Sequence, residues 1–160
     1  MPYTMKSEGF EQISKMLNSL GENAQKVASK GLYDGAGVMA AEIKEDAGKI
    51  NTAPFHYAVF VTREPSPEEK EIVQKGMGIA KFKKNGADVN TSVGYGNAGY
   101  AMLAGKRKPI PLIANAINSG TSFMKRQPFF RRAVVQGTAK AEEAIVAKIE
   151  AEIDALTKQA

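Results

Sequence analysis

His56 is the only histidine and there are no cysteines, so nucleophilic catalysis would have to be built around one imidazole. A serine–histidine–carboxylate triad also needs a presented hydroxyl, and no G-x-S-x-G elbow exists. Flanked by Phe55 and Tyr57, His56 reads as an ordinary loop or strand residue. Metal sites need clustered ligands, whereas the carboxylates fall in runs (Glu68, Glu69, Glu71; Glu142, Glu143) typical of solvated helix faces. No carboxylate pair stands out for hydrolysis. The segment from Gly94 to Tyr100 has the glycines of a phosphate-cradling loop but no G-K-[ST] ending. These residues point away from catalysis, and no cofactor or metal is expected.

The remaining chemistry is positive charge, unevenly placed. Between Ile79 and Ala133 stand Lys81, Lys83, Lys84, Lys106, Arg107, Lys108, Lys125, Arg126, Arg131 and Arg132, against one acid, Asp88. Ten cations and one anion make +9 in a chain of net +5, which leaves −4 for the flanks. Such asymmetry suits an anionic partner, either DNA or an acidic protein surface; the plain alternative is a solvated face. The candidate partner-facing residues are Lys81, Lys83, Lys84, Lys106, Arg107, Lys108, Lys125 and Arg126.

Those cations need elements to hold them. With 160 residues, 43% hydrophobic and 24% charged, the chain suits a single globular domain, 1–160. No signal-peptide run or membrane span is expected, and the protein is read as soluble. Phe10, Ile13, Met16, Leu17 and Leu20 keep the spacing of one helical face, which Gly21 ends before Asn23 caps a second helix. Gly31, Gly35 and Gly37 interrupt that second helix, at about 1 kcal/mol each relative to alanine. Close approach by another helix or subunit would offset this cost and is the reading taken, ahead of the simpler one, a loosened helix.

Tyr57 to Thr62 reads as a strand. Ser66 and Glu69 form a capping box for a short helix opened by Pro67, and this Pro-flanked piece, about 64–78, reads as an insertion or lid. Ile79 to Lys83 alternates apolar with basic, and Asn85-Gly86 signals a hairpin returning over Asp88 to Tyr95. Lys106-Arg107-Lys108 reads as an exposed loop. Ile110 to Ile117 is too short for periodicity to separate helix from strand. Thr138 to Ala160 is rich in helix formers and should dock across the hairpin sheet or project to a neighbour. The expected fold is α+β: two N-terminal helices, a small antiparallel sheet with an inserted short helix, and a long C-terminal helix.

The stretch from Asn118 to Ala133 organises the rest. Gly120 supplies a turn, Pro128 opens the last helix, and Phe129 and Phe130 read as a core anchor. The glycine–threonine turn followed by a P-F-hydrophobic-R-x-A helix start resembles the HK97-type tail-component (neck) family of long-tailed phages. Members also open with a short helix and then a longer one. Ser119 stands where many carry an acid, and 51–117 matches only loosely.

What the resemblance implies is a structural virion protein of a tailed phage or prophage, assembled in the host cytoplasm and located in the neck or tail. It would form a homo-oligomeric ring, six-fold favoured, in neck, tail-completion or tail-terminator position. The ring would join the tail tube or terminator to the head connector or stopper around the DNA channel, without a membrane. Gly120, Thr121, Pro128 and Phe129 match the family motif and are its interface candidates. The alternative from charge alone is a stand-alone basic DNA-binding protein.

Overall fold

The computed structural model describes residues 8–54, 62–85, 88–96 and 98–159. The fold mixes helix and sheet in the order α1 (Glu8–Gly48), α2 (Pro67–Gly76), β1 (Gly78–Ile79), β2 (Lys83–Asn85), β3 (Asp88–Asn90), β4 (Val93–Gly94), β5 (Tyr100–Leu103), β6 (Lys106–Pro109), α3 (Ile110–Ser119) and α4 (Phe129–Gln159). The strand expected from Tyr57, together with His56, falls outside the described residues.

The break expected at Gly21 is absent, and one 41-residue helix replaces the two expected. A glycine ends a helix by taking positive φ, which Gly94, Gly99, Gly105 and Gly120 do and Gly21 does not. A lone interior glycine costs only about 1 kcal/mol, too little to stop a helix held elsewhere along its length.

α4 runs antiparallel along α1 rather than across the hairpin sheet. The glycines of α1 explain the docking. A Cβ on Gly31 would lie 2.7 Å from Ile149 Cγ1, and one on Gly35 would overlap Ile145 and sit 3.0 Å from the Ala141 carbonyl oxygen. Gly37 has open space around it, so close packing accounts for two of the three. Ion pairs bridge the helices: Lys30 with Glu152, Lys140 with Glu42, and Arg132 Nε with Asp46 Oδ2 at 3.4 Å.

The core sits where the C-terminal half of α1 meets α2, α3 and the start of α4, with Ile43, Val73, Ile117 and Phe129 fully enclosed. α2 begins as its sequence requires. Ser66 Oγ accepts from the Glu69 amide at 3.1 Å, the Glu69 carboxylate accepts from the Ser66 amide at 2.8 Å, and Pro67 takes the first turn. The piece read as an insertion or lid therefore seats Val73 in the core itself. α3 resolves the ambiguous apolar segment as helix, burying Ile110, Ile113, Ala114 and Ile117 along one stripe.

The described strands form two hairpins. In the first, Lys83 pairs with Asn90 and Asn85 with Asp88, while Ile79 pairs with Val93. Three residues, 80–82, therefore oppose two, 91–92. This bulge interrupts what the alternation suggested was one continuous strand. In the second hairpin, Tyr100 pairs with Pro109 and Leu103 with Lys106. Lys106, Arg107 and Lys108 thus lie on a strand, not a loop. Their turn is Ala104-Gly105, both at positive φ (50° and 73°), which matches the twist of paired strands. Alanine rarely takes that conformation, which is why the sequence did not signal the turn.

Candidate anionic-partner interface

The expected basic residues come to rest on three features. Lys81 and Lys83 stand exposed on the first hairpin, and β2 carries Lys84. Lys106 and Arg107 are exposed and Lys108 half-buried on β6. Lys125 and Arg126 are exposed in the segment leading into α4.

The first hairpin presents its charge beside an aromatic pair. Its bulge brings Phe82 to Tyr33 of α1, ring centroids 6.2 Å apart. Lys44 and Lys81 line the same groove, of about 650 Å³, along with those rings. Tyr33 and Lys44 were not foreseen, because only the folded hairpin places them beside Lys81. A second cleft of about 720 Å³ is lined by Lys83, Tyr95 and Phe130. The Tyr95 hydroxyl is buried without a hydrogen-bond partner among the described residues, and that burial pushes its pKa well up, so it stays a neutral donor. On the second hairpin the Arg107 guanidinium stacks 4.3 Å from the Tyr100 ring centroid, leaving its N–H edges free to face solvent.

The segment before α4 is pinned by hydrogen bonds. Thr121 Oγ1 accepts from the amides of Phe123 (3.2 Å) and Met124 (3.0 Å). Gly120, at φ 77°, could carry no side chain: a Cβ would meet Arg126 Cβ at 2.9 Å. Gln127 exchanges both amide bonds with the Asn51 backbone, at 2.8 and 2.9 Å, and donates to Glu64 at 2.6 Å. Arg63 joins the same segment through backbone bonds with Phe123 and Lys125. No sequence signal marked Gln127 or Arg63, because their partners are remote in the chain.

Phe129, expected at an interface, is fully buried in the chain's own core, edge-on to Tyr95 and Phe130 at centroid distances of 6.4 Å. An aromatic that large finds its largest gain inside, so it cannot meet a partner. Thr121 is exposed and Pro128 half-buried beside Arg126 and Arg131.

The buried carboxylates are already committed. Glu69 holds Arg63 in a bidentate pair, both oxygens at 2.6 Å. Burial pushes its carboxyl up, but Arg63 and Ser66 more than offset that and hold it below the ordinary range. Asp46 takes Lys49 at 3.0 Å as well as Arg132. By contrast Lys81, Lys83, Lys106, Lys108 and Arg126 have no carboxylate partner among the described residues. Lys125, also exposed, is neutralised by Glu64 at 3.0 Å. The unpaired cations suit binding of anions. Among the described residues no group of three or more His, Asp or Glu is placed to hold a metal, and no helix is long and apolar enough to cross a membrane. No family model matches this sequence, and neither a curated protein nor a solved structure matches it.

Proposed function

We propose that this chain is a structural protein of a tailed phage or prophage virion, acting in the neck or tail-completion ring that joins tail to head around the DNA channel. One observation carries the reading beyond the sequence resemblance: Lys81, Lys83, Lys106 and Lys108 on the hairpins have no carboxylate partner among the described residues, while Lys30, Lys75, Lys140 and Lys148 on the helices are paired. Charge left unmatched on the exposed side of two hairpins is charge available to another molecule. A ring needs one heterologous contact repeated until it closes. The hairpins, set against the rigid α1–α4 pair, supply a surface for that contact or for the channel DNA. The protein acts by assembly, without catalysis or cofactor.

Light scattering of the purified protein, with particles imaged in negative stain, tests this directly. A closed ring with a central channel, six-fold favoured, is the expected result. A monomer that binds duplex DNA with a steep salt dependence, and does not assemble with connector or terminator proteins, would replace it with the DNA-binding reading.

A further inference from the structure

We propose that the outer face of α4 pairs with the same face of a second copy, antiparallel about a two-fold axis. Arg131, Val135, Ala139, Glu142, Val146 and Glu150 are all exposed and recur at spacings of four, four and three. That eleven-residue repeat averages about 3.67 residues per turn, so the stripe runs almost straight along the helix. It lies on the side away from α1. Val135 is 74% and Val146 54% exposed, two apolar side chains on the same face of α4.

The stripe is polarised. A basic groove of about 460 Å³ surrounds Arg126 and Arg131 at its start, and an acidic groove of about 480 Å³ surrounds Glu142 and Glu150 further along. Arg126, Arg131, Glu150 and Asp154 form no ion pair among the described residues. Turned end for end, the stripe matches itself in a single register: Arg131 meets Glu150, Val135 meets Val146, and Ala139 meets Glu142. A two-fold contact requires that if one residue meets another, the second also meets the first, so each pair forms twice. Parallel pairing would instead set Arg131 on Arg131 and Glu150 on Glu150. A nucleic acid would be repelled by the acidic half. A second copy satisfies both halves. This contact is isologous and does not rest on the ring reading, which needs a heterologous contact elsewhere.

Sedimentation velocity of the full chain at low salt, over a wide concentration range, tests the pairing. The expected result is a reversible dimer that Arg131→Glu weakens by about tenfold or more, since two ion pairs become two repulsions. Arg131→Glu combined with Glu150→Arg should restore the dimer, because the swapped charges meet again across the axis. Glu142→Gln should tighten it, since the register brings the two copies of Glu142 within a turn of each other. All these side chains face solvent in the single chain, so helical circular dichroism should not change. A wild type that stays monomeric, an assembly indifferent to Arg131→Glu, or a charge swap no better than the single reversal would overturn the pairing.

Discussion

The α1–α4 pair and the two hairpins handle charge in opposite ways. Across the α1–α4 seam, cations meet acids of the same chain, from Lys30 with Glu152 at one end to Arg132 with Asp46 at the other. On the hairpins, Lys81, Lys83, Lys106 and Lys108 stand without such partners among the described residues. That seam is finished within one molecule. The hairpin region carries a residual field directed outward. Stability is therefore expected to reside in the helices and their core, and recognition in the hairpins.

Substitution can pull the two apart, and the largest effect belongs to the core. Phe129→Ala should cost about 3–5 kcal/mol in a urea titration, while the equally aromatic but exposed Phe123→Ala should stay within about 0.5 kcal/mol. Equal losses at the two sites would remove Phe129 from the centre of the fold.

Glu69→Ala comes next, at about 3 kcal/mol, because it removes the carboxylate that holds both Arg63 guanidinium nitrogens and accepts from the Ser66 amide in the capping box of α2. The same group sets an acid limit. Its folded pKa lies below the ordinary value near about 4.3, so its stabilisation is full above that value. It is lost as pH falls through the lower folded value. Thermal melts of wild type should fall on that side of the scale, and Glu69→Gln should flatten the slope.

Two glycines in α1 give a test by sign. Gly35→Ala should destabilise by about 1–3 kcal/mol, since the new methyl collides with Ile145 and Ala141. Gly37→Ala, with open space, should stabilise by up to about 1 kcal/mol through helix propensity. Two gains in guanidinium titrations would mean that α4 does not approach α1 as closely as described.

The smallest stability effect, and the largest binding effect, belongs to the hairpins. Lys81→Ala, Lys106→Ala and Arg107→Ala should each change stability by less than about 0.5 kcal/mol. Combined, they should weaken binding to a polyanion and lower the slope of affinity against salt, read by titration at several salt concentrations.

What could be read from sequence follows how local each cause is. The capping box at Ser66 and Glu69 was legible because every atom it needs lies within four residues. The helical glycines announced a close neighbour but could not name it: Ile145 and Ile149 lie more than a hundred positions away. The break at Gly21 misled because a glycine permits a helix end without requiring one. Lys106 to Lys108 looked like a loop because their strand is defined by β5 across a turn that alanine rarely makes. The charge asymmetry was visible from composition; which cations remain unpaired was not, since pairing is a property of the fold.

The glycine contacts at positions 31 and 35 also bear on mechanics. Ile149 and Ile145 each seat against a gap in the opposing helix, four residues apart on both sides. Sliding α4 by one turn would leave one isoleucine facing a full side chain. The pair therefore has a single notch and resists shear along its length. A force applied at one end of such a strut reaches the other end as displacement of a rigid body, with little absorbed by slippage between.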